Sequence, residues 1–168
     1  MTTTFSGPLV TVHLLELPVP LATRARQWFE ELMREFALIH AGMVDGPGRP
    51  EVPGRLLAMV DMLVTRYSGL NDDARERLEA AIDRGDRLVQ DHVTTVPPEA
   101  AQACQGLADM MDEADEFCRQ GRHLLTLATP PDVLAYRRWY LSEVVVQIAG
   151  ERPTPWPAYR ERAAAGRS

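Results

Sequence analysis

One phrase occurs twice in this chain. His13-Leu14-Leu15-Glu16-Leu17, followed by Pro20 and then Arg26-Gln27-Trp28-Phe29, returns as His123-Leu124-Leu125-Thr126-Leu127, followed by Pro130, Pro131 and Arg137-Arg138-Trp139-Tyr140. A short apolar run, a proline and a segment of helical period spell a strand, a turn and a helix, so the repeat predicts the same unit twice in one domain. Two isolated strands are hardly stable alone in water, and the economical arrangement pairs them side by side under the helices, related by a pseudo-two-fold axis. The expected fold is mainly α, of the α+β kind, with about five helices and two short strands from the repeated strand-proline-helix unit.

Leu9 to Leu17, ending at Pro18, reads as the first strand. A helix from Pro20 to Ala41 follows, with Leu21, Ala25, Trp28, Leu32, Phe36 and Ile39 as its apolar stripe. Gly42 to Gly54 holds four Gly and three Pro and is expected to be a mobile connection, a linker or a lid. Three helices are expected next. The first runs from Arg55 to Tyr67 and is stopped by Ser68-Gly69; the second is capped by Asn71 and aligns Leu78, Ile82, Val89 and Val93, with a bend at Gly85; the third runs from Pro97-Pro98 to Gly121. Leu124 to Ala128 is the expected second strand, and Pro130-Pro131 opens a helix that ends at Gly150. The tail around Pro153-Thr154-Pro155-Trp156-Pro157 is too rich in proline for helix or sheet and is expected to run extended over the surface. Residues 1–8 then form a flexible N-terminus, 9–150 a single domain and 151–168 a proline-rich tail.

A chain of 168 residues can bury about 70% of its unfolded surface without help from metal or disulfides. Its net charge of -6 argues against nucleic-acid and anionic-membrane partners, which call for a basic face. All 18 basic residues are Arg, a bias that points to a GC-rich coding sequence and excludes every chemistry that needs lysine. The N-terminus has neither a basic segment nor a continuous apolar one, and no apolar run reaches the length of a membrane span, so a cytoplasmic location is expected. Cys104 and Cys118 fall ~21 Å apart along one expected helix, beyond disulfide reach, and read as free thiols.

Asp109, Asp112, Glu113 and Glu116 fall on one helical stripe. Such carboxylates form a solvated face or meet an Arg-rich partner; without a Glu-x-x-His pattern a carboxylate-bridged metal is not expected. His13 and His123 occupy equivalent repeat positions and come close if the two strands pair, with no carboxylate or thiol ligand at recognisable spacing. Arg137 and Arg138 are a surface pair or an anion site. Trp28 and Trp139 read as anchors of the repeated helices. Trp156, between prolines, either docks back as a clamp or presents a recognition peptide. No catalytic residue, metal ligand set or cofactor motif is assigned; the candidate partner-binding residues are Asp109, Asp112, Glu113, Glu116, Arg137, Arg138 and Trp156.

Asp115-Glu116-Phe117-Cys118-Arg119 leading into Leu124-Leu125-Thr126-Leu127-Ala128-Thr129-Pro130-Pro131, then Arg137-Arg138-Trp139-Tyr140-Leu141 and Pro153-Thr154-Pro155-Trp156, resembles a family of small actinobacterial proteins. Leu15-Glu16-Leu17-Pro18-Val19 and Glu31-Leu32-Met33-Arg34-Glu35-Phe36 fit the same family, so the resemblance covers most of the chain. It implies an association with partner-switching regulation, in which histidine-kinase-like ATPases act as anti-sigma factors and antagonists release them. Each strand-proline-helix unit is also similar to the opening of those ATPase domains. The chain lacks their Glu-x-x-x-Asn box and Asp-x-Gly-x-Gly motif, so the resemblance implies an accessory role without ATP chemistry.

The expected function is a non-enzymatic cytoplasmic regulatory module that binds a protein, with an anti-sigma ATPase, an antagonist or a sigma factor as candidate partner. A sensor that holds a small ligand between its helices is the alternative, suggested by the Gly42 to Gly54 loop beside Met-rich stripes. A metal-dependent enzyme using the Asp109 to Glu116 carboxylates is the third reading. A homodimer that extends the two-stranded sheet is compatible with each of them.

Overall fold

In a computed structural model of the chain, the described residues are 7–42, 51–67, 69–120 and 128–166. Their order is β1 (Val10–Pro18), α1 (Val19–His40), α2 (Glu51–Tyr67), α3 (Asp72–Asp83), β2 (Leu88–Val96), α4 (Ala100–Gln120), α5 (Pro131–Ile148) and α6 (Trp156–Ala165). The architecture is mainly helical α+β, as expected, with six described helices rather than five and one antiparallel two-stranded sheet.

The second strand is not where the repeat places it. β2 lies in the expected continuation of the Asn71-capped helix and pairs with β1 from Val10 opposite Val96 to Pro18 opposite Leu88. Gly85 does not bend that helix but ends it. At φ +73° it donates to the Ile82 carbonyl while the Asp86 N–H reaches back to Ala81 O at 2.9 Å, a Schellman stop that turns the chain into the strand. Val89 and Val93 have helical spacing from Ile82, but Val93-Thr94-Thr95-Val96 is wholly β-branched and takes the pleated conformation. Of the expected strand Leu124 to Ala128, positions 124–127 lie outside the described residues, and Ala128 is not in a strand. His123, and with it the question of a pairing with His13, also lies outside them.

β1 changes its buried face partway along. Val12 and Leu14 point inward, then Leu17 and Val19 do, and the switch falls at Glu16, which sits at φ 54° in the left-handed region. Val19 then opens α1 with proline in its first turn. Leu32, Phe36 and Ile39 of α1 pack with Leu56 of α2 and Met111, Ala114, Phe117 and Cys118 of α4 into one apolar cluster. A second cluster joins Leu14 and Leu17 of β1 to Tyr136 and Trp139 of α5 and to Trp156. α5 has no single polar face because it packs on α4, β1, α1 and α6 at once.

The tail folds back rather than running extended. Thr154 fastens it to α5, receiving a hydrogen bond from the Trp139 indole at 2.9 Å on its carbonyl and donating its N–H to the Glu143 carboxylate at 3.0 Å. Pro155 and Pro157 then stand at the start of α6, where missing N–H groups cost nothing. Trp156 docks as a clamp, its ring centroid 5.4 Å from that of Trp139. Pro53 and Gly54, expected in a loop, lie in the first turn of α2; positions 43–50 lie outside the described residues. No helix among the described residues is long and apolar enough to cross a membrane.

Candidate functional site

A cavity of about 450 Å³ lies between α1, α3, α4 and α5, lined by residues of the two clusters just described. The first turns of α1 supply the reason it is open. Ala22 and Ala25 are too small to fill the space that Trp28 and Phe29 fill one turn further on. Leu78 and Ile82 of α3 close one side, Leu107 and Met111 of α4 another, and Val133, Tyr136, Tyr140 and Leu141 of α5 form the back. The walls are almost wholly apolar, and the volume falls within the ~300–1,000 Å³ typical of small-molecule sites. Walls this apolar offer water few hydrogen-bond partners and favour an apolar guest.

Besides the two tyrosines, Thr23, Arg26, Thr129 and Arg137 bring polar groups to the cavity lining, and each of these four is engaged elsewhere. Thr23 donates its hydroxyl to Val19 O at 3.0 Å. Arg26 reaches Glu79 only at 3.9 Å, a loose surface pair. Arg137 donates one guanidinium nitrogen to Asp112 and Asp115, both at 2.9 Å, and the other to the Thr129 hydroxyl at 3.2 Å. Thr129 in turn donates both its N–H and its hydroxyl to Asp115. The result is a closed knot at the α4/α5 junction, because the aspartates already hold the arginine.

Burial shapes the titrating groups nearby. It raises the Tyr136 phenol far above the usual tyrosine value, with Tyr140 adding a smaller push in the same direction, and it raises Tyr140 as well. Both side chains are therefore neutral hydrogen-bond donors at physiological pH. Burial also lifts the thiols of Cys104 to about 11 and of Cys118 to about 12, which makes them packing groups rather than nucleophiles.

The partner-binding candidates do not gather at one place. Asp112 meets Arg137 and, at 3.5 Å, Arg138. Glu113 meets Arg55 of α2 at 3.0 Å. Glu116 meets Arg119 at 2.7 Å and Gln120 at 2.8 Å, and these bonds, Gln120 first, lower its pKa. Asp109 is exposed and makes no ion pair among the described residues. Trp156, 5% exposed, belongs to the second cluster. His13 holds Asp91 across the sheet at 2.9 Å. Among the described residues no three His, Cys, Asp or Glu side chains converge as they would around a metal.

The cavity-lining tyrosines and Asp115 escape a reading of the sequence. For Asp115 the signal is present: it shares the apolar stripe of Met111 and Cys118, and an acid on such a stripe requires a buried partner. Compared with known proteins, the chain matches no family, no curated protein and no solved structure.

Proposed function

We propose that this chain is a cytoplasmic, non-enzymatic regulatory module that senses a small apolar molecule bound between its helices. The observation that carries this reading is the cavity, whose walls are almost wholly apolar and whose titratable neighbours are paired or held neutral. A guest there touches α1, α3, α4 and α5 together and so adds contacts shared by all four elements. A protein partner then reads the liganded form. The resemblance to a partner-switching family makes that partner an anti-sigma ATPase, an antagonist or a sigma factor, and Met62 and Val64, exposed on α2, support a protein contact.

The test is a melting curve of the whole chain with the neutral probe N-phenylnaphthylamine. At a hundredfold excess over its dissociation constant a bound ligand adds about 2.7 kcal/mol to stability, a rise of several degrees in Tm. Unchanged melting at saturating probe would remove the reading.

A further inference from the structure

Both charged side chains that line the cavity are arginines, and they are held differently. Arg137 is shared between Asp112 and Asp115, each at 2.9 Å, and only 12% of its side chain is exposed. Arg26 is 47% exposed, and its one ion pair among the described residues, with Glu79, stands at 3.9 Å, past hydrogen-bonding distance. That pair shows where the Arg26 guanidinium goes. Arg26 shares one face of α1 with Ala22, Ala25 and Phe29, all at the cavity wall. Glu79 follows Leu78 on α3, the neighbouring wall, and is not itself part of the lining. The arginine therefore leaves the wall of α1 and reaches toward α3 on the side open to water, which sets a positive charge at the mouth of an apolar space.

A guest in this cavity keeps its hydrocarbon between the walls and its polar end at the mouth, because almost wholly apolar walls would strip that end of water without replacing it. We infer that the guest is an amphipathic monocarboxylate, a hydrocarbon chain or ring ending in one carboxylate that Arg26 receives at the mouth. The planar guanidinium matches a carboxylate as a two-pronged fork, a charge-assisted contact stronger than the same bonds to a neutral head. Releasing Glu79 to make it costs little, since a half-exposed pair at that separation is weak. A cationic head would be repelled by Arg26, and a doubly charged phosphate would meet the added repulsion of Glu79. This inference rests on the cavity being the ligand site of the proposed function.

The experiment measures displacement of N-phenylnaphthylamine by decanoate, decanol and decylammonium, which share one chain and differ in the charge of the head, from the wild-type chain, Arg26→Gln and Glu79→Gln. Decanoate should weaken about tenfold in Arg26→Gln and tighten about threefold in Glu79→Gln, with decanol unchanged in both. Decylammonium should move the opposite way in each variant. Added salt should weaken decanoate on the wild type and lose most of that effect in Arg26→Gln. Both positions are about half exposed, so both variants should melt with the wild type. Decanoate affinity that Arg26→Gln leaves unchanged, or that falls together with that of decanol, would overturn carboxylate recognition and leave the cavity reading standing, as would bound probe that decanoate fails to displace. Failure of the probe itself to bind the wild type would overturn the cavity reading.

Discussion

Asp115 and Asp109 stand six residues apart on α4 and do opposite things. Asp115 accepts from Arg137 and twice from Thr129 in a largely buried site, so truncating it takes the buried partner from a mostly buried guanidinium. Asp115→Ala should cost about 3 kcal/mol in a urea titration, with Asp112 softening the loss by retaining one bond to Arg137. Asp109→Ala, on the exposed face, should stay within about 0.5 kcal/mol. The stripe read from the sequence, Asp109, Asp112, Glu113 and Glu116, leaves out Asp115, since its weight comes from the arginine that α5 brings alongside. The thiols allow a second check. With pKa values near 11 and 12 and an apolar packing, Cys104 and Cys118 should be silent to a chromogenic disulfide reagent in the native chain at neutral pH and should both react in denaturant.

At the scale of elements, the sheet solves its edge problem with two carboxamides. Gln147 of α5 takes both the N–H and the carbonyl of His13 on β1, each at 2.9 Å. Asn71, read from the sequence as a helix cap, makes no side-chain cap and instead takes the N–H and carbonyl of Thr95 on β2, at 2.9 and 3.0 Å. Arg77 covers the Val93 carbonyl beside it. Each amide mimics one residue of a neighbouring strand, and a second copy of the chain extending the sheet would have to displace it. Gln147→Ala should therefore lose about 1–2 kcal/mol in urea denaturation and increase light scattering at high concentration; unchanged stability would show that the edge needs no cover. Helices α1, α2, α4 and α5 follow from apolar spacing and proline punctuation. The capped edges do not, because they join residues 134 and 24 positions apart. β2 was hidden for a related reason: its valines continue the helical spacing of α3, and only the Schellman turn at Gly85 breaks the pattern.

The described residues form a small sheet packed on helices, with a cavity between the two larger of their three apolar clusters and one histidine buried in the sheet. His92 faces inward opposite Leu14, and burial followed by the charge of Arg77 lowers its pKa, against an upward pull from Asp91. The native state binds that proton more weakly than the unfolded chain, so its contribution is complete above the unfolded value of 6.5 and is lost as pH falls from there toward the lowered native value. Urea midpoints should drop between about pH 7 and pH 5, and His92→Gln should flatten that part of the slope. The fold around the cavity follows from apolar periodicity, but the cavity itself does not, because it is the difference between what α1 fills with Trp28 and what it leaves open at Ala22 and Ala25. The most direct test of the central claim is a fluorescence titration with N-phenylnaphthylamine on the wild-type chain and on Ala25→Phe, which fills the space with a ring. The wild type should give bright, saturable emission at one probe per chain, and the variant, melting no lower, should lose that signal. Emission that never saturates, or that is the same in both chains, would place the probe elsewhere and contradict the cavity as the binding site.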